Sequence, residues 1–204
     1  MTLAIGLTGG IASGKTTTAN IFKQSFNIDL IDADWVARSI VTPGSDNLEA
    51  IKEYFGTNII TTQGHLDRRQ LREAIFSSPK KKMWLERLLH PAIKEKMKEH
   101  LSVVSSPYCL LVIPLLLESG WRDLCDRVLV IDVDENIQLL RTAYRDKIPM
   151  DQARKILLAQ ASRQQRLNIA DEVISNNKSY PILLNEIKKI NEKYLEIASG
   201  DRWK

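Results

Sequence analysis

Gly9-Gly10-Ile11-Ala12-Ser13-Gly14-Lys15-Thr16 satisfies the pattern G-x-x-x-x-G-K-[ST] in full, and it directly follows the apolar run Leu3-Ala4-Ile5-Gly6-Leu7. A strand that feeds a glycine-rich turn and then a helix aims backbone N–H groups at phosphate oxygens, with the positive end of the helix dipole behind them. Gly10, Ile11, Ala12, Ser13, Gly14, Lys15, Thr16 and Thr17 are therefore the candidate nucleotide-binding residues. Lys15 is expected to reach the β and γ phosphates, and Thr16 to hold Mg²⁺ through its hydroxyl. The helical pattern Thr18, Ala19, Ile21, Phe22 after the loop supports this reading. The expected ligand is a nucleoside triphosphate, ATP, with Mg²⁺.

The rest of the chain reads as an α/β alternation. Apolar runs predict strands at Leu3 to Leu7, Ile28 to Ile31, Cys109 to Ile113, Arg127 to Asp132 and Val173-Ile174. Helical patterns fall at Lys15 to Gln24, Trp35 to Ile40, Asn47 to Phe55, Arg68 to Phe76, Lys80 to Leu101, Glu135 to Tyr144, Met150 to Asn168 and Ile182 to Ala198. Asp67 is the expected cap of one helix, and Pro91 an expected kink or boundary in another. The fold class is an α/β nucleoside-triphosphate-binding fold built on a five-stranded parallel sheet. Ligands in such sheets gather at the carboxyl ends of strands, where the second strand carries Asp32-Ala33-Asp34.

With 204 residues and 44% hydrophobic content the chain is expected to form a single domain, 1–204. Within it, 56–106 is read as a helical acceptor-binding subdomain and 138–166 as an arginine-rich lid. The formal net charge of +4 is unevenly placed: seven basic residues between Gln138 and Arg166 face only Asp146 and Asp151. One such segment fits a lid over phosphates better than a nucleic-acid face, so no nucleic-acid partner is expected. No run approaches the roughly 18 apolar residues of a membrane span. The amino terminus lacks the basic start of a secretory signal, and a cytoplasmic protein with no membrane partner is expected. Cys109 and Cys125 lie in or near apolar runs and read as buried thiols.

Other triphosphate-binding chemistries fit less well. No guanine-reading N-K-x-D segment is present, since Asn177-Lys178 leads into Ser179-Tyr180, and the third strand ends in Pro114 rather than an acid. An acid pair on the second strand suits a small-molecule kinase, whose carboxylate must lie near both metal and acceptor hydroxyl. A regulatory nucleotide-binding protein that uses ATP as a switch is the reading from a different class.

The chain resembles the dephospho-coenzyme A kinase family from end to end. The resemblance is carried by Leu7 to Thr16, Ile31-Asp32-Ala33-Asp34, Leu89-His90-Pro91, Pro114-Leu115-Leu116-Leu117-Glu118 and Gln160-Ala161-Ser162-Arg163, in that order. It implies transfer of the γ-phosphoryl group of ATP to the ribose 3′-hydroxyl of dephospho-coenzyme A, the final step of coenzyme A synthesis. It also implies a core, a lid and a helical part that receives the acceptor. On this basis Asp32, Lys15 and Arg141 are the candidate catalytic residues, with Asp32 orienting or deprotonating the hydroxyl. Arg141 and Arg145, four apart on one helix face, are expected to close on the triphosphate, and Asn177, beside Asn176, to frame the adenine or form an ordinary turn. Asp34, His90, Leu115, Leu116 and Arg163 are the candidate acceptor-binding residues. For His90 a capping role is equally open, for the leucines a place in the core, and for Glu118 either metal and lid contact or packing. Ala12 departs from the family's frequent glycine, a change tolerable if the backbone there is helical or extended. A monomer or weak homo-oligomer is expected.

Overall fold

The computed structural model describes residues 2–200 of the 204. The elements run β1 (Leu3–Gly9), α1 (Lys15–Phe26), β2 (Asp29–Asp32), α2 (Ala33–Ser39), α3 (Asp46–Phe55), α4 (Arg68–Phe76) and α5 (Pro79–Ser102). Beyond α5 come β3 (Tyr108–Val112), α6 (Leu116–Ser119), β4 (Arg127–Asp132), α7 (Glu135–Asp146), α8 (Met150–Leu158), α9 (Arg163–Asn168), β5 (Glu172–Ser175) and α10 (Tyr180–Ser199).

β1 is apolar from Leu3 to Leu7, so both of its faces must be covered, and it accordingly lies mid-sheet. The order is β2-β3-β1-β4-β5, with every pairing parallel. Leu7 sits opposite Val112 on one side and Leu129 on the other, which brings the carboxyl ends of β1, β3 and β4 to one edge. Alternate residues Ile5, Leu7, Tyr108, Leu110, Leu129, Ile131 and Ile174 share one face and pack with Ala19 and Phe22 of α1 and Leu183, Ile187 and Tyr194 of α10. On the other face Gly6 leaves room for Cys125, whose Sγ lies 2.5 Å from where a Cβ would stand. Both cysteines are buried, and desolvation pushes each thiol up to about 12.

The chain divides into two compact units: the segments up to Asp32 and from His100 onward form one, Ala33–Glu99 the other. The second unit starts well before Gly56, where the sequence pattern places the change. Val41, Leu48 and Ile51 share its core with Ile59, Leu66, Leu71 and Leu85, so α2 and α3 belong with α4 and α5. Ser45 caps α3 by accepting from Leu48 N–H, and Asp67 caps α4 by accepting from the N–H groups of Arg69 and Gln70, each at 3.0 Å. Pro91 does not end a helix: α5 runs through it and is 24 residues long in all. The lost hydrogen bond costs about 3 kcal/mol, offset by burial of Leu85 and Ile93 on either side.

The helix expected from Met150 to Asn168 is two helices, with a break at residues 159–162. Ser162 Oγ accepts from Gln165 N–H at 3.2 Å while Gln165 Oε1 accepts from Ser162 N–H at 2.8 Å. This reciprocal capping box starts a new helix and so ends the old one. No helix among the described residues is long and apolar enough to cross a membrane.

Candidate active site

Between the end of β1 and the start of α1 the backbone doubles back, and Ser13 N–H donates to Gly10 O at 3.2 Å. Close approach dictates the glycines. A Cβ on Gly10 would stand 2.1 Å from Gln138 Nε2 and 2.7 Å from Arg166 Nη2. Gly14 is left-handed, with φ of 96°, and a Cβ there would meet Asn176 Nδ2 at 2.3 Å. Ala12 is also left-handed, with φ of 53°. The condition under which a methyl is tolerable there, a helical or extended backbone, is therefore not met, because the turn itself requires the positive φ that glycine adopts without strain.

The loop opens on a cleft of about 660 Å³ lined by Ile11 to Thr17, Pro114, Arg141, Arg145, Gln160 and Asn176. None of these is acidic. The cleft presents the amino end of α1, whose first turn carries no acid, together with Lys15, Arg141 and Arg145. Ser13 Oγ, buried without a hydrogen-bond partner among the described residues, belongs to the same loop. Such a donor set fits a polyphosphate. Lys15 Nζ donates to Gly9 O at 2.8 Å and Gly10 O at 2.9 Å, carbonyls with which a phosphate must compete. Thr16 and Thr17 are placed at the start of α1, where a hydroxyl can serve a metal-bound phosphate.

Asn176, rather than Asn177, borders the cleft. It is buried at the end of β5, donates from Nδ2 to Ser13 O at 2.7 Å and accepts on its backbone carbonyl from Arg141 Nη2 at 3.2 Å. Asn177 is exposed and accepts instead from Asp134 N–H at 2.9 Å. Arg145 forks onto Asp146 at 2.8 and 3.0 Å, and those bonds raise its pKa. Arg163 does not line the cleft. Its guanidinium is bidentate on Asp132 at 2.8 and 2.6 Å, with Asp134 at 3.5 Å, and the Asp132 bonds hold its pKa well above the usual arginine value. Leu116 is a core residue, 1% exposed and packed beside Gly6, whereas Leu115 is 46% exposed. Glu118 accepts from Ala161 N–H at 2.8 Å, a structural bond at the α8–α9 break.

Asp32 is the exposed last residue of β2, opposite Val112 of β3, which in turn faces Leu7 of β1. It thus shares the sheet edge with the loop but stands two strands, about 10 Å, from β1. Asp34 and His90 belong to the second unit: Asp34 is exposed in the first turn of α2, and His90 borders a shallow hollow with Met83, Glu86, Arg87 and Pro91.

The family model for dephospho-CoA kinase matches residues 3–181. This chain belongs to the dephospho-CoA kinase family. The Vibrio parahaemolyticus dephospho-CoA kinase is 57% identical over 198 residues, 97% of each chain. Among solved structures, a dephospho-CoA kinase from Campylobacter jejuni aligns over 98% of this chain and 100% of its own, at 30% identity and a TM-score of 0.74. A Thermus thermophilus structure covers 94% of this chain and 97% of its own at 28% identity, with a TM-score of 0.82. The five-stranded parallel sheet with its flanking helices is the phosphate-loop kinase fold of this family.

Proposed function

We propose that this chain transfers the γ-phosphoryl group of ATP to the ribose 3′-hydroxyl of dephospho-coenzyme A, giving coenzyme A and ADP, the final step of coenzyme A synthesis. The observation that carries this reading is a phosphate loop opening on an acid-free cleft, in a chain that matches the dephospho-CoA kinase family along almost its whole length.

In this reading the loop N–H groups and Lys15 hold the phosphates. Arg141, tied to Asn176 O at the cleft wall, stabilises charge on the migrating group. Asp32, at the same sheet edge, orients the acceptor hydroxyl and accepts its proton late in the transfer. Thr16 is the hydroxyl this chain offers to Mg²⁺, which when bound neutralises phosphate charge. The Ala33–Glu99 unit, with Asp34 and His90, is assigned to the acceptor, and residues 138–166 to the lid. The chain is taken as cytoplasmic, a monomer or weak homo-oligomer, and without a nucleic-acid partner.

The test is an acceptor screen with product mass. Consumption of ATP that depends on dephospho-coenzyme A and yields a product one phosphoryl group heavier is the expected result. Stimulation by a nucleoside monophosphate and none by dephospho-coenzyme A overturns it, as does salt-sensitive polyanion binding without a phosphorylated product.

A further inference from the structure

Gln160 carries no charge and lies outside the phosphate-loop motif, yet its side chain meets that loop. Its Oε1 accepts from Ile11 N–H at 2.9 Å across 149 residues of sequence. The backbone that carries it is held from several sides. Ala161 N–H donates to Glu118 Oε1 at 2.8 Å, and Arg166 Nη1 donates to Ala161 O. Arg166 is itself buried against Gly10, and the Ser162 capping box comes immediately after. The break between α8 and α9 is thus a fixed point from which the glutamine reaches the loop.

The amide can be oriented in only one sense, because Ile11 offers a donor and only the carbonyl oxygen can receive it. Nε2, on the same carbon, is thereby turned away from Ile11, and nothing among the described residues accepts from it. Gln160 borders the same cleft as Lys15, Arg141 and Arg145.

We propose that Gln160 is a phosphate-binding residue of the nucleotide cleft: Ile11 N–H fixes its carboxamide, and Nε2 donates to a phosphate oxygen of ATP. This rests on reading the cleft as the ATP site.

Two substitutions separate a phosphate donor from a mere strut. Gln160→Glu keeps an acceptor for Ile11 N–H but replaces the donor with a negative charge, whereas Gln160→Ala removes both. Affinity for a non-hydrolysable ATP analogue with Mg²⁺ is measured by calorimetry, and thermal unfolding without nucleotide monitors the fold. The expected result is a loss of at least 10-fold in Gln160→Glu and about 3-fold or more in Gln160→Ala, with the glutamate variant melting within about 2 °C of the parent. A strut predicts the reverse order, with Gln160→Glu near the parent and Gln160→Ala weaker, and that result overturns the proposal. Gln160→Ala at parental affinity overturns it too, since repulsion alone then explains the glutamate. A parent that binds the analogue while both variants match it defeats this inference only. A parent that binds no ATP defeats the reading of the cleft as well.

Discussion

A carboxylate can take a proton from a ribose hydroxyl during phosphoryl transfer only if acceptor and nucleotide both fit between it and the phosphate loop. Asp32, proposed for this role, stands on the loop's own sheet edge with β3 between them. Asp32→Asn keeps the size and removes the basicity, so turnover at saturating substrates should fall about 10²-fold or more while ATP affinity stays within a few fold. Near-parental turnover in a folded variant removes Asp32 from the reaction and moves the assignment to Asp34. Ala12 gives a second test at this scale. Its left-handed backbone costs an alanine about 1–2 kcal/mol, and glycine's freer unfolded chain returns part of that, so Ala12→Gly should gain about 0.5–1 kcal/mol and raise Tm by about 1–3 °C. A lower Tm means the strain argument fails. Lys15 and Arg141 are legible in the sequence because the loop motif and an arginine-rich helix face announce them. Asn176 is named in the sequence only beside Asn177, and Gln160 only as part of a family segment, because a neutral amide carries no charge signature and meets the loop through a neighbour more than a hundred residues away.

At the level of elements, continuous apolar runs mark β1, β3 and β4 to within a residue or two, since a strand covered on both faces leaves no alternation to misread. The order of the strands in the sheet is set by where the crossing helices pack, and no residue in a strand states it. Two helix boundaries differ from the sequence pattern for opposite reasons. Pro91 looks like a stop and is absorbed by α5, because burial on either side outweighs one missing bond. Ser162 and Gln165 form a start signal that is written in the sequence but masked by the helical periodicity around it. Ser162→Ala should therefore cost about 1 kcal/mol, lowering Tm by about 2–4 °C, and speed amide exchange at Gln165, whose N–H loses its acceptor. Unchanged exchange at Gln165 shows that the break holds without the cap.

Across the whole molecule, the polar link between sheet and closing helix is one contribution to how stability depends on pH. Glu172 is 6% exposed at the start of β5. It accepts from Arg127 at 2.5 and 3.0 Å, from Lys193 of α10 at 2.8 Å and from the Tyr194 hydroxyl at 2.7 Å. Burial alone would push its pKa upward, but the bonds from Arg127, Lys193 and Tyr194 outweigh that and hold the carboxyl below its ordinary value. A folded-state pKa below the unfolded one contributes stability that is complete above the unfolded value and is lost as pH falls through the folded one. At pH 7, Glu172→Gln should cost about 2 kcal/mol, less than a fully buried pair because Arg127 and Lys193 are partly exposed. Urea unfolding of the two proteins between pH 7 and pH 3 isolates this group, since every other acid is common to both. The gap should stay constant down to about pH 5 and then close, as the parent loses a contribution that the glutamine never had. A gap that persists undiminished at pH 3 would show that shape and neutral hydrogen bonds, rather than the charge of Glu172, tie α10 to the sheet.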